Sequence, residues 1–397
     1  MQFFFENHVL DPDRRELRRG PELIALEPQV FDLLVYLIQN RDRVVSKDDL
    51  IASVWGGRIV SDSTLTSRIN AARKAVGDSG DEQKLIRTIA RKGIRFVCTV
   101  DEKAASDGRA KAQSPAPSTP PQEIHFCTAS DNVRIAYALA GQGPPLVKAA
   151  NWLNHLEYDW QSPIWSHLLH ALAAEHRLVR YDARGNGLSD WEVDDISFDA
   201  FVRDLESVVE AAGLQRFPLF GVSQGCAVSI AYAVRNPGRV SRLVLYGGFT
   251  RGRRRRGSHS ETEQSDAFLT LMRQGWGQEN PAFRQLFTSL FLPGGTAEQM
   301  QWFNDLQRVT TSPANAARIR EAVDEIDITD LLPQVNVPTL VLHCRDDSIQ
   351  PFEEGRRLAA GIKGSRFVAL DGRNHLILET DPIWDRFTDE VRNFLQP

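Results

Sequence analysis

Phe217-Pro-Leu-Phe-Gly-Val-Ser-Gln-Gly-Cys-Ala-Val-Ser-Ile-Ala-Tyr232 is the stretch on which the organisation of this 397-residue chain turns. An apolar run, a glycine-bracketed serine and a helix-forming segment follow one another without spacing, which predicts strand, sharp turn and helix in succession. A serine in such a turn adopts strained backbone geometry, and Gly221 and Gly225 supply the clearance that the turn requires. The turn lifts the Ser223 hydroxyl above the sheet at the positive end of the following helix. That placement is what a nucleophile needs.

Working outward, strands and helices alternate after residue 124, a rhythm that predicts a mostly parallel central sheet covered by helices. Strands are expected at 133–139, 145–150, 177–182, 217–222, 240–246, 338–344 and 365–370. Residues of about 249–333 break the rhythm with helical patterns and read as an inserted cap. The apolar run Leu340-Val-Leu-His-Cys-Arg-Asp-Asp347 ends in two carboxylates, either of which could orient a histidine, and His375 follows 28 residues beyond the second. In such a triad the imidazole relays the serine proton while the acid holds the ring and stabilises its charged form. The cap opens with Arg251-Gly-Arg-Arg-Arg-Arg256, read as a solvated basic surface, with an anionic ligand or DNA backbone as alternatives. Trp276, Phe283, Phe287, Phe291, Trp302 and Phe303 at helical spacing read as cap core.

These residues resemble the α/β-hydrolase superfamily across residues 124–397. Tyr181-Asp-Ala-Arg-Gly-Asn-Gly-Leu-Ser189 matches that family's D-x-R-G-x-G-x-S segment. Its D-x-x-x-P turn, matched by Asp347 and Pro351, selects Asp347 as the orienting acid. The resemblance implies a catalytic triad of Ser223, Asp347 and His375, with the Gln224 backbone N–H as the first oxyanion donor. The family's His-Gly pair is missing from Lys148-Ala-Ala-Asn-Trp-Leu-Asn-His155, which leaves the backbone of Asn151 or Trp152 as the second donor.

Residues 101–123 contain Ser106-Asp-Gly-Arg-Ala-Lys-Ala-Gln-Ser-Pro-Ala-Pro-Ser-Thr-Pro-Pro-Gln122, rich in Pro, Ala and Ser, and read as a flexible linker. Before it, residues 1–100 predict short strands over 2–27, a helix from Pro28, a second opened by Ser46 with Asp49 in a capping box, and a third over about 61–76. Residues 84–99 alternate as a hairpin with Lys92-Gly93 near its tip. In the third helix Leu65, Ile69, Ala72 and Val76 form one buried stripe. Ser63, Ser67, Asn70 and Lys74 lie roughly opposite it, flanked by Thr66 and Arg73. For an isolated helix a solvated polar face would explain this set. Two helices joined by a short turn and followed by a basic hairpin carrying Arg91 and Lys92 instead follow the winged helix-turn-helix plan, in which such side chains meet base edges and phosphates.

This α+β module resembles the effector domain of the OmpR/PhoB family of response regulators. The matching residues are Glu27-Pro-Gln-Val-Phe-Asp-Leu-Leu34, Arg43-Val-Val-Ser-Lys-Asp-Asp-Leu-Ile-Ala-Ser-Val-Trp55, Ser67-Arg-Ile-Asn-Ala-Ala-Arg-Lys-Ala-Val-Gly77 and Ile86-Arg-Thr-Ile-Ala-Arg-Lys-Gly-Ile-Arg-Phe-Val97. The resemblance implies that the third helix enters the major groove of double-stranded DNA while the wing touches backbone or minor groove. Ile94 stands where the family often has an aromatic residue.

Composition agrees with this division. The chain carries a net −5, distributed as +2 over residues 1–100 and −7 beyond. No apolar stretch is long enough for a membrane helix, and Met1-Gln-Phe-Phe-Phe lacks the features of a signal peptide. Cys98, Cys127, Cys226 and Cys344 include no C-x-x-C pair, so neither metal, cofactor nor disulfide is expected, and a reducing cytoplasm fits. The sequence thus predicts a transcriptional regulator whose hydrolase-like domain senses a small-molecule ligand and has the residues to hydrolyse it. The alternative is a serine hydrolase acting on ester or related acyl bonds, of esterase or lactonase type, with a DNA-binding appendage. Paired half-sites would accommodate a homodimer.

Overall fold

The computed structural model describes residues 2–12, 15–20, 22–24, 26, 28–54, 62–80, 82–89, 92–103, 121–278, 280 and 282–396, with the side chains of a few helix and strand ends left out. The chain divides into two compact units, Met1–Ser114 and Pro115–Pro397.

In the first unit, β1 (Gln2–Phe5), β2 (His8–Asp11), β3 (Glu16–Arg19) and β4 (Glu22–Ile24) form an antiparallel sheet. Helices α1 (Pro28–Gln39), α2 (Lys47–Val54) and α3 (Asp62–Ala75) follow, then the hairpin of β5 (Ile86–Ile89) and β6 (Gly93–Phe96). Val30, Phe31, Leu34, Leu37 and Ile38 of α1 are buried with Leu65, Ile69, Ala72 and Val76, so the predicted stripes face one core. Each such aliphatic side chain contributes about 1.5–3 kcal/mol on burial. The box opening α2 is formed: the Asp49 amide donates to Ser46 Oγ at 3.0 Å and the Ser46 amide donates to Asp49 Oδ2 at 3.0 Å. The hairpin is pinned to the turn before α2 by reciprocal backbone bonds between Val45 and Ile94, both 2.8 Å. Gly93, at φ 139°, is required there, because a Cβ would fall 2.0 Å from the Val45 carbonyl oxygen. Trp55, Arg91 and residues 104–120 of the expected linker lie outside the described residues.

Both ends of the expected linker are structured. Asp101–Lys103 forms β7, which pairs antiparallel with β1, Phe3 opposite Glu102. Gln122–Thr128 forms β8, the edge strand of the second unit's sheet. Gln-Glu-Ile-His-Phe-Cys-Thr is held by main-chain pairing to its neighbour and buries little, so its side chains carry a weak strand signal.

The remaining strands are β9 (Arg134–Ala140), β10 (Pro145–Lys148), β11 (Arg177–Tyr181), β12 (Phe217–Val222), β13 (Val240–Tyr246), β14 (Thr339–Cys344) and β15 (Arg366–Leu370). With β8 they form one eight-stranded sheet in the order β15-β14-β13-β12-β10-β11-β9-β8, parallel except for the β11–β9 and β9–β8 pairings. Helices α4 (Leu156–Trp160), α5 (Ser166–Glu175), α6 (Phe198–Ala211), α7 (Gln224–Arg235), α12 (Phe352–Gly361) and α13 (Trp384–Leu395) accompany the sheet. Between β13 and β14 stand α8 (His259–Gly275), α9 (Ala282–Phe291), α10 (Ala297–Thr310) and α11 (Pro313–Asp324). Ser258, Thr296 and Ser312 cap α8, α10 and α11 with side-chain oxygens.

The D-x-R-G-x-G-x-S segment is a knot of buried polar contacts. Asp182 accepts from the Leu188 amide at 2.8 Å and from Asn154 Nδ2 at 2.7 Å, and Ser189 Oγ donates to the Asp182 carbonyl at 2.6 Å. Arg184 is fully buried between Asp204, at 2.8 Å, and Asp131, at 2.6 Å. Removing one member of a buried ion cluster strands the others without solvent. Arg184→Ala is therefore expected to destabilise this unit by about 3–5 kcal/mol, read as a lowered second-unit transition in thermal or urea unfolding.

Candidate active site and nucleic-acid interface

Ser223 stands between β12 and α7 with φ 53° and ψ −124°, a positive-φ conformation that L-residues rarely adopt. The neighbouring strand holds it there, since the Ser223 amide donates to the Tyr246 carbonyl at 2.9 Å. A Cβ on Gly221 would lie 2.8 Å from Cys226, and one on Gly225 would lie 2.8 Å from the Ala150 carbonyl oxygen, so both flanking glycines are sterically required.

The loop after β14 delivers the acid. Asp347 Oδ2 accepts from His375 Nδ1 at 2.7 Å, while Oδ1 accepts from the amides of Ile349 at 2.8 Å and Gln350 at 3.0 Å. Burial alone would raise the Asp347 carboxyl. The His375 charge and hydrogen bond, with His343 and the backbone, outweigh it and hold Asp347 below the usual carboxylate range. Asp346 makes no such contact. Its amide donates to the Gly372 carbonyl at 3.1 Å, which turns the pair so that the second carboxylate faces the histidine.

His375 is wholly buried, and its Nε2 has no protein partner. A Cβ on Gly247, the residue after Tyr246, would come within 3.3 Å of the His375 ring. The ring therefore packs against the same β13 terminus that fixes the Ser223 amide. Cap helix α9 closes over it: the His375 amide donates to the Phe291 carbonyl at 2.9 Å, and the two rings meet edge-to-face at 5.3 Å. Ser223 itself is only 6% exposed.

Gln224 is the first residue of α7, and its N–H has no acceptor within the helix. The loop carrying Asn151 and Trp152 passes beside this turn, as the Gly225–Ala150 approach shows. The Asn151 side chain is already committed. Its Oδ1 accepts from the buried Lys148 ammonium at 2.6 Å and its Nδ2 donates to the Trp152 carbonyl at 3.0 Å, which leaves the main chain of this loop to serve a ligand. Burial pulls Lys148 below the ordinary lysine value, against the opposing pull of Asp159. Trp152 meets Trp276 of the cap edge-to-face at 6.0 Å.

The sequence reading missed two features. His343, buried on β14, donates from Nε2 to the Gln350 carbonyl at 2.9 Å and stands 3.8 Å from Asp347, bracing the acid loop. In an apolar strand such a histidine carries no periodic signal. The basic run at the cap entrance is solvated only in part: Arg255 is exposed, whereas Arg253 is 7% exposed and the Arg256 side chain 6%.

In the first unit Thr66, Ser67, Asn70 and Lys74 are exposed on α3, and Lys92 is exposed beside the hairpin tip. Thr66, Asn70 and Lys92 line one groove between α3 and the hairpin, joined by Lys47 of α2, which the sequence reading did not single out. Lys74 borders a separate groove with Arg19 and Glu22. Ser63 lies in α3 by its backbone. Arg73 corrects the expectation of a flanking DNA contact. Its guanidinium is turned inward, donating to the Ile86 carbonyl at 3.1 Å and Thr88 Oγ1 at 2.8 Å, and so ties α3 to the hairpin.

Comparison with known proteins follows this division. The family described as "alpha/beta hydrolase fold" matches residues 158–382, more than half of the chain, and the chain belongs to it. The family described as "Transcriptional regulatory protein, C terminal" matches residues 20–96. The chain therefore joins a transcription-regulator DNA-binding domain to an α/β-hydrolase domain.

Among curated relatives, the AB hydrolase superfamily protein YisY of Bacillus subtilis is 27% identical over 266 residues, 63% of this chain and 92% of that protein. The putative carbamate hydrolase RutD of Rhizobium rhizogenes is 26% identical over 58% of this chain and 87% of its own length. Among solved structures, a hydrolase from Pseudomonas aeruginosa PA01 aligns with a TM-score of 0.58 at 24% identity over 69% of this chain and 98% of that one. A bromoperoxidase from Bacillus anthracis gives a TM-score of 0.58 at 23% over 69% and 100%. At these identities the structures show the fold alone. Among the described residues, no helix is long and apolar enough to cross a membrane.

The inward turn of Arg73 separates two kinds of substitution. Arg73→Ala is expected to destabilise the first unit by about 1–3 kcal/mol through the buried Ile86 carbonyl it orphans. Lys74→Ala should leave the unfolding midpoint unchanged, as read by circular dichroism on the same protein.

Proposed function

We propose that the protein is a DNA-binding transcriptional regulator whose hydrolase domain binds a small-molecule acyl compound through Ser223, Asp347 and His375 and turns it over. The observation that carries this reading is the buried 2.7 Å Asp347–His375 pair beside the strained serine turn. In the proposed cycle, neutral His375 takes the Ser223 proton through Nε2 as Oγ attacks the carbonyl carbon. The resulting oxyanion is met by the N–H of Gln224 and by one from Asn151 or Trp152. His375 then returns the proton to the leaving group, and water repeats the sequence on the acyl-enzyme. Asp347 keeps Nδ1 protonated throughout and stays ionised across the neutral range, as its lowered pKa requires.

On the reader, Thr66, Ser67 and Asn70 of α3 reach base edges, while Lys74, Lys47 and Lys92, together with Ser63 and Arg91, contribute further contacts to bases or backbone. Ligand binding changes transcription only if the ligand prefers one of two states of the protein. The reading places the protein in the cytoplasm, as a homodimer on paired half-sites. A hydrolase with an accessory DNA-binding module is the second reading, and the catalytic geometry by itself favours it.

A fluorophosphonate probe should label the wild type and fail on Ser223→Ala; equal labelling of the two would sink the triad assignment. Asp347→Asn is expected to slow ester hydrolysis by about 10⁴-fold, since the wrong histidine tautomer results. In electrophoretic shifts with promoter fragments, Asn70→Ala combined with Lys74→Ala should abolish binding. If Ser223→Ala binds ligand normally and prolongs the transcriptional response, turnover resets a switch; an unchanged response means that turnover plays no part in the switch.

A further inference from the structure

The arginines at the cap entrance divide sharply by partner. Arg254 pairs with Asp266, Arg255 with Glu325 at 2.8 Å and Arg256 with Glu261 at 3.1 Å. Arg253, the most enclosed residue of the four, has no carboxylate partner among the described residues. One nitrogen, Nη2, donates to the Ile349 carbonyl at 3.3 Å, and the guanidinium carbon lies 5.0 Å from the Phe268 ring centre. The other, Nη1, is buried with no partner at all. A buried guanidinium lacking a counter-charge is costly, and an unused donor beside it adds to that cost.

Its position connects this donor to the catalytic residues. Ile349, which accepts from Arg253, donates its own amide to Asp347 at 2.8 Å. Arg320 is close enough that, after burial, its charge is the next largest influence pulling Arg253 down, to about 10. The Arg320 guanidinium in turn lies 5.9 Å from the ring centre of Trp152, in the loop beside Ser223. Arg253 is thus bonded to the acid loop, and its neighbour Arg320 faces Trp152 of the oxyanion loop. Arg320 is bonded to Asp324, at 2.6 and 3.0 Å, whereas Asp324 and Glu261 act on Arg253 only through space, so Arg253 is the arginine without a bonded carboxylate.

We infer that Arg253 is the anchor for a carboxylate on the ligand, and that the site takes an ester or related acyl compound bearing a carboxylate remote from the bond that Ser223 attacks. The inference rests on the proposed reading of Ser223 and His375 as the reacting pair. A guanidinium fork suits a carboxylate geometrically. The charge also matches: one unpaired cation takes one negative charge, whereas a phosphate dianion would bring an excess beside Asp324 and Glu261.

The test uses the full chain and two matched probe pairs. Binding of benzoate and of uncharged benzamide is followed by tryptophan fluorescence in the wild type, Ser223→Ala, Arg253→Gln and Arg253→Lys. Hydrolysis of 4-acetoxybenzoate and 4-acetoxybenzamide is followed in parallel. Benzoate should bind at least tenfold tighter than benzamide to the wild type and to Ser223→Ala. Arg253→Gln should erase that preference while leaving benzamide affinity unchanged, which also reports a folded site, and Arg253→Lys should retain part of it. The same preference should appear in kcat/KM for the acetoxy pair. Equal binding of benzoate and benzamide to the wild type, a preference that survives Arg253→Gln, or tighter binding of phenyl phosphate than benzoate would each overturn the inference. If neither ester is cleaved while the Arg253-dependent preference for benzoate persists, the anchor stands and the hydrolytic reading fails.

Discussion

The backbone of Ser223 is the constraint on which the second unit depends. A positive φ at a non-glycine residue costs about 1–3 kcal/mol, and the chain tolerates it only because the surrounding sheet leaves no alternative. β12 runs parallel to β13 with Val222 opposite Tyr246, and the Ser223 amide is bonded to the last carbonyl of that neighbour. Glycines on either side admit the packing of Cys226 and Ala150 against the turn. The same β13 terminus supports the His375 ring through Gly247, and Gly247 is in turn bonded to Leu342 of β14, the strand that leads to Asp347. Serine, histidine and acid are thus referred to three adjacent strand ends whose register is set by hydrogen bonds across the sheet.

How much of this was legible in the sequence follows from which forces leave a periodic trace. Helices with one buried stripe, such as α1 and α3, announce themselves because burial repeats at helical spacing. The parallel strands β12, β13 and β14 do so through short apolar runs such as Leu243–Tyr246 and Leu340–Leu342, and the serine turn through its two glycines. β7 falls within the expected linker, while β8, of which only Gln122 and Glu123 do, is not among the expected strands; edge pairing uses backbone groups and leaves the β8 side chains half-buried or exposed. The short α4 follows a loop shaped by Asn154 and Asp182, partners 28 positions apart in sequence.

Arginine is where pattern reading fails in a systematic way. Arg73 sits on the polar side of α3 by helical geometry, and its long stem carries the guanidinium back to the hairpin, where it joins two elements. Arg253 belongs to a run that composition alone assigns to solvent, yet it is enclosed. In both cases a flexible side chain decides its own destination after the backbone is placed, according to which carbonyls and carboxylates the tertiary structure offers. Lys148 behaves alike at the end of β10, where the Asn151 side chain and the Trp165 ring enclose its ammonium.

The pairing of β7 with β1 has a mechanical corollary. The chain leaving the DNA-reading unit does not depart from the wing hairpin; it first crosses back and is stitched along Gln2, Phe3 and Phe4 at the margin of the five-stranded sheet. Force transmitted from the hydrolase unit along the backbone would load that seam before it reached α3 or the wing. The proposed DNA-reading elements are thereby insulated from tugging by their own fusion partner, and the amino-terminal strand serves as strain relief.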